Sequence, residues 1–210
     1  MPEFTFTCTG AEPDLAAAAP TIALGLQITE TTGETVHALA LRTQLRIEPL
    51  ARRYDDSEAD AMRDLFGERA RWGRTLKPLQ FGFVNQMVPT FTGQTTVDVA
   101  LPCSYDFDVA ANKYLYALEQ GEIPLLLLFS GTVFTAAGNG FSVSLVPWDR
   151  EARYRLPVSV WKQTLDLHFP GTAWMRLGHR NFDALHRYRT EQQLTSWDDA
   201  IERLLKEAEG

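Results

Sequence analysis

The sequence predicts a single α+β domain over residues 1–210, a twisted antiparallel β-sheet with helices mostly C-terminal. Period-two alternation of apolar and polar residues dominates the first fifty residues and returns at Leu79–Val84 and Gln94–Leu101. From Phe107 the period lengthens to that of a helix, and the last sixty residues carry helical stripes and cap signals. No repeat, low-complexity tract or Gly-, Ser- or Pro-rich linker interrupts the chain, so a sheet-rich part (1–147) and a helical part (148–210) belong to one domain. With 45% hydrophobic and 22% charged residues, a chain of this length buries a core without needing a metal or a disulfide.

Phe4 and Phe6 alternate with Glu3, Thr5 and Thr7 in a first strand. Ile22, Leu24, Leu26 and Ile28 alternate with small or polar residues in a second. After Thr31–Thr32–Gly33–Glu34, a third strand sets Leu39, Leu41, Thr43, Leu45 and Ile47 against a wet face with Arg42, Gln44 and Arg46. These two read as a hairpin, joined in one sheet by Leu79–Val84 and Gln94–Leu101. Between Pro49 and Pro78, Ser57 with Asp60 suggests a capping box for a short helix with Met62, Leu65 and Phe66 inward, ended at Gly67.

Phe107, Ala111, Tyr114, Leu115 and Leu118 form the stripe of an amphipathic helix that stops at Gly121. The apolar run Pro124–Phe134 turns through Thr135–Gly140 into Phe141, Val143 and Leu145, a central hairpin. A helix from Pro157 carries Val158, Trp161, Leu165 and His168 and stops at Pro170–Gly171. Asn181 is placed to cap the next helix, and Ser196 with Asp199 the last.

The chemistry is mostly excluded. A net charge of −7 argues against nucleic acid as the main partner, although Arg176–Arg189 with Trp174 and Tyr188 forms a basic, aromatic stretch. His179 and His186 stand seven residues apart, too far along one helix to share an ion, so no metal is expected. Cys8 and Cys103 have no metal-ligand spacing and are expected as thiols in a reducing, cytoplasmic setting. Neither Cys103 nor Ser130 sits in a nucleophile elbow, and no Gly-rich loop precedes a helix, so no catalytic residue and no cofactor are expected. The longest apolar run, Ile123–Phe129, is far shorter than a membrane span, and no export signal is visible at the N-terminus.

Aromatic residues remain. Trp72, Phe81, Phe83, Phe91, Phe129, Phe134 and Trp148 lie on strands or their flanks, where some would line an uncovered sheet face. Phe81, Phe83 and Phe91, on strands with the least clean polar alternation, are the candidate partner-binding residues.

Two resemblances follow. Cys103, a Tyr- and Ala-rich helix and Gly121–Glu122–Ile123–Pro124–Leu125–Leu126–Leu127–Leu128 resemble SecB-type export chaperones. That resemblance implies a SecB-like twisted antiparallel sheet with helices, homo-oligomerisation and binding of unfolded clients.

Over nearly the whole chain, Leu41–Arg42–Thr43–Gln44–Leu45–Arg46–Ile47–Glu48–Pro49, Leu65–Phe66–Gly67, Tyr105–Asp106–Phe107, Lys113–Tyr114–Leu115, Pro124–Leu125 through Phe134, Val146–Pro147–Trp148 and Arg155–Leu156–Pro157–Val158 resemble an uncharacterised actinobacterial family whose members tend to be encoded beside nickel–iron hydrogenases. This resemblance implies a non-enzymatic accessory or assembly protein whose partner is a hydrogenase subunit or maturation intermediate. The alternatives are a general holdase, and an enzyme with a pocket near Tyr105, Asp106 and Arg155.

Overall fold

The computed structural model describes residues 2–103, 110–137, 140–172 and 176–209, apart from the side chains of Ala137 and Phe141. They fall into two compact units, Met1–Ala173 and Trp174–Gly210. In the first, the alternating segments form two antiparallel sheets. β1 (Phe4–Pro13), β2 (Thr21–Glu30) and β6 (Gln94–Pro102) make one sheet with β2 in the middle. The other is centred on β3 (Thr35–Ile47) and β7 (Glu122–Ala137). β4 (Leu79–Val88) and β5 (Phe91–Thr92) lie beside β3, and β8 (Gly140–Leu145) and β9 (Glu151–Pro157) beside β7.

The sheets bury their apolar faces against each other. Ile22, Leu24, Leu26 and Ile28 of β2 and Leu39, Leu41, Leu45 and Ile47 of β3 belong to one continuous core, and Phe6 stacks on Phe129 with ring centroids 4.1 Å apart. The α+β class expected from the sequence is therefore present, with strands concentrated in the first 157 residues and the longer helices after them. Tight sheet pairing also explains Gly131. A Cβ there would run into the Ala40 carbonyl oxygen across the β3–β7 ladder, so glycine is required by a backbone approach.

The β2–β3 hairpin expected from sequence does not form, because the chain changes sheet at Glu30. That side chain is only 3% exposed. Its carboxylate accepts the N–H groups of Thr32 at 3.0 Å, Glu34 at 3.0 Å and Glu3 at 3.3 Å, along with the Thr32 hydroxyl at 2.5 Å. A buried carboxylate that gathers this many donors fixes a corner, whereas a two-residue hairpin turn satisfies its own backbone. β4 and β6 accordingly go to different sheets. β9 replaces the start of the expected helical region: Ala152 and Leu156 point inward while Arg153 and Arg155 reach solvent, and the charges mask the alternation.

The insertion after β3 holds α1 (Asp56–Ala61), α2 (Arg63–Phe66) and α3 (Trp72–Thr75). Asp55, not Ser57, caps α1 by accepting the Glu58 N–H at 2.8 Å, and Ser57 donates to Asp55. Tyr54 packs edge-on against Trp72 and Tyr114, the latter on α4 (Ala110–Tyr116). Of the expected helical stripe, Phe107 lies outside the described residues, while Ala111, Tyr114, Leu115 and Leu118 are buried. α5 (Val158–His168) follows β9 and buries Val158, Trp161 and Leu165 as its spacing predicts.

The second unit is a helix pair, α6 (His179–Glu191) and α7 (Trp197–Glu209). Gly178, not Asn181, occupies the α6 N-cap. The α7 box forms as expected, Asp199 N–H donating to Ser196 Oγ at 3.0 Å and Ser196 N–H to the Asp199 carboxylate at 3.1 Å. Trp197 joins the helices: Phe182 and His186 pack on it, and the Arg189 guanidinium lies 4.0 Å from its ring centroid.

Two stability predictions follow from this packing. Gly131→Ala forces β3 and β7 apart and lowers unfolding free energy by about 1–3 kcal/mol in urea titrations. Glu30→Gln puts an NH₂ where backbone donors converge and costs about 1–3 kcal/mol at neutral pH. Burial alone would raise the Glu30 pKa, but hydrogen bonds from Thr32, Glu3 and Gly33 outweigh it and hold the carboxyl below its ordinary 4.5. The stabilisation is full above 4.5 and fades as pH falls through the lowered value. The gap between wild type and Glu30→Gln therefore narrows in acid.

Candidate interaction surface

Antiparallel register determines which side chains share the outer face of the second sheet. Beside Ala40 of β3 stand Met87 on β4 and Thr132 on β7, and Leu145 of β8 pairs with Thr132. The neighbouring row is Ala38, Phe134 and Val143. Met87 is 64% exposed, Leu145 67% and Val143 60%, so large apolar side chains stand uncovered across the sheet.

Farther along the strands the same face becomes polar. Rows built on Arg42, Gln44 and Arg46 continue into Glu151 and Arg153 on β9. Arg46 pairs with Glu48 at 3.2 Å, and the Arg42 guanidinium covers the Phe83 ring at 4.7 Å. The wet, basic face expected of β3 is thus one half of a surface whose other half is apolar.

Of the three candidate phenylalanines, only Phe83 opens onto this face, at 46% exposure. Phe91 is buried in β5 and belongs to the core. Phe81 is the extra residue where the register slips from Leu45–Gly82 to Arg46–Gln80, and it packs against the core. Gln80 fills the slip by donating to the carbonyls of Leu45 at 3.0 Å and Gly82 at 2.8 Å. The irregular alternation that singled out this strand therefore marked a bulge.

Met87, Val143 and Leu145 escaped the sequence reading. β8 alternates cleanly, but the alternation does not say which set faces the core. β7 would have to decide, and with Leu125, Leu126 and Leu127 all buried it is apolar on both sides. Trp148, just beyond β8, is 92% exposed, whereas Trp72 and Phe129 are core and Phe134 is half-buried.

Two buried polar pairs hold the insertion after β3 in place. Arg52 and Glu58 form a buried ion pair at 2.6 Å, further fixed by the Gln120 carbonyl and the Glu119 N–H. Tyr54 donates to the Pro49 carbonyl at 2.7 Å, so the Tyr114 hydroxyl donates to Tyr54 at 2.9 Å. Burial, reinforced by Tyr114, pushes the Tyr54 pKa far up, and the pair braces the insertion against α4. Asp56 pairs with Arg69 at 2.6 Å.

Tyr105, Asp106 and Asp108 lie outside the described residues, as does Trp174, and Arg155 is exposed beside Glu122 at 3.9 Å. Tyr188 of the basic stretch donates to Glu207 at 3.2 Å. A groove of about 830 Å³ beside α5 is lined by Glu12, Asp14, Asp98 and Asp166 with Leu15 and Leu167. Among the described residues no group of three or more His, Cys, Asp or Glu is placed to hold a metal ion, and no helix is long and apolar enough to cross a membrane.

These features define an α+β protein of two facing antiparallel sheets with one open, half-apolar sheet face. The chain belongs to a family of unknown function (DUF6084), whose model matches residues 1–210. No curated protein matches it. Among solved structures, a crystal structure of selenomethionine-labelled β-glucosidase from Kluyveromyces marxianus is similar at 14% identity and a TM-score of 0.28. The match covers 73% of this chain and 15% of that one.

Both cysteines are free, Cys103 buried and Cys8 half-buried. Burial pushes the Cys103 thiol up to about 12 and Cys8 to about 11, from an ordinary 9.0. At pH 8 neither presents thiolate, so a disulfide-exchange reagent titrates no fast thiol in the native protein and both after denaturation; one rapid native equivalent contradicts this. The raised values favour the fold fully below pH 9.0, and that support is lost as pH climbs toward about 12.

Proposed function

We propose that this chain is a non-enzymatic accessory or assembly protein that binds a protein partner on the outer face of its second sheet. The observation behind this reading is the exposed apolar set Met87, Val143 and Leu145 beside the arginine rows of the same face. Uncovered apolar area of this kind favours association, and the neighbouring charges orient a partner. The resemblance to a family encoded beside nickel–iron hydrogenases makes a hydrogenase subunit or maturation intermediate the partner to test first. On this reading the protein works in the cytoplasm, as a homo-oligomer.

The test is quantitative capture of a nickel–iron hydrogenase, as separate subunits and as maturation intermediates, by the tagged full-length chain. Met87→Asp places a charge in the apolar half and weakens capture by about tenfold or more, with an unchanged melting temperature. Equal capture by wild type and variant removes the sheet face from the mechanism. Suppression of aggregation of several unrelated unfolded proteins, with no hydrogenase preference, favours the holdase alternative.

A further inference from the structure

β8 is built the wrong way round for a solvent-facing edge. Register with β7 puts Ser142 and Ser144 on the inner side and Val143 and Leu145 outward, at 60% and 67% exposure. Among the described residues of the first unit, no backbone hydrogen bond reaches its outer edge. Val146 N–H donates to the Gly131 carbonyl at 3.0 Å, which fixes the ladder parity: residues 142, 144 and 146 bond to β7. The N–H and C=O groups of residues 141, 143 and 145 therefore point away from the sheet.

Natural edges of this kind are guarded by Lys, Pro, a bulge or an inward charge. β8 has none of these, and no residue from Ile123 through Trp148 is charged in a chain that is 22% charged. The other outer strands of this sheet have neighbours on the far side: β4 packs toward β6 and α4, and β9 toward β1 and α5.

We propose that β8 is a homotypic edge, pairing antiparallel with β8 of a second copy of this chain about a twofold axis near Val143. Self-complementarity selects this occupant. A twofold perpendicular to the sheet keeps each face on its own side, so Val143 and Leu145 continue an apolar row and Ser142 and Ser144 continue a polar one. Residues 141, 143 and 145 then satisfy one another's backbone groups across the axis. A chain of net charge −7 repels its own copy, and an uncharged strand is where that repulsion opposes contact least.

The proposed edge shares Val143 and Leu145 with the proposed partner surface but not Met87. Met87, three strands away, lies about 14 Å from β8 at ordinary strand spacing.

Sedimentation equilibrium of the full-length chain over a dilution series is the test. Wild type reversibly reaches twice 23.6 kDa. Val143→Pro removes an N–H that points off the sheet, which an edge strand tolerates, and leaves the β7 ladder intact. It raises the dimer dissociation constant by about a hundredfold or more with an unchanged circular dichroism spectrum. Should that variant lose its fold, Leu145→Lys, a guard residue on the outer face, decides with the same expected shift.

Wild type that sediments as a monomer at every concentration overturns the proposal. So does a folded edge variant that dimerises like wild type. Met87→Asp retains the dimer while losing capture, so failure of the edge and failure of the partner reading give different results.

Discussion

The pairing of β3 with β7 carries the rest of the molecule. β3 holds β4 and β5 on its other side, and β7 is long enough to hold β8 and β9 end to end. The ladder closes because Gly131 allows the Ala40 backbone to come near. The inward set of these strands, from Leu39 to Ile47 and from Leu127 to Val133, supplies the floor on which the first sheet packs. Their outward set includes the rows that reach the exposed Met87, Val143 and Leu145, the surface proposed for binding.

Local periodicity was legible wherever one face of a strand is buried and the other wet. β2 and β3 show this, with alternating burial along nearly their whole lengths. Pairing was not legible, because it depends on what happens at corners. Glu30 reads as an ordinary polar residue at a strand end, yet its burial and convergent donors divide the chain between two sheets. The same limit affected the caps, where Asp55 took the role assigned to Ser57 through a difference of two residues.

The candidate surface was only partly legible for a related reason. An aromatic side chain announces apolar area but not its direction, so the exposed Phe83 was singled out along with two rings that pack in or against the core. The outward residues of β8 were hidden by a partner strand that is apolar on both faces, so that hydrophobic pattern alone does not tell which set of β8 faces the core. Buried polar groups were invisible as a set. Arg52, Tyr54 and Glu58 lie far from Tyr114 in sequence, and only the packing of α4 on the insertion shows that Arg52 meets Glu58 and Tyr54 meets Tyr114 in one cluster.

The buried polar cluster and the outer sheet face do different work in the first unit. Here the most deeply buried polar cluster is spent on tying the insertion to α4, while the arginines outside it lie on an open sheet. On that face Phe83, Met87, Val143 and Leu145 are exposed apolar side chains on strands, suited to contact by shape and hydrophobic burial. One face of the sheet is turned to the core and the other is divided between apolar side chains at one end and charged ones at the other, so a protein seated there, as proposed, would meet both kinds of group.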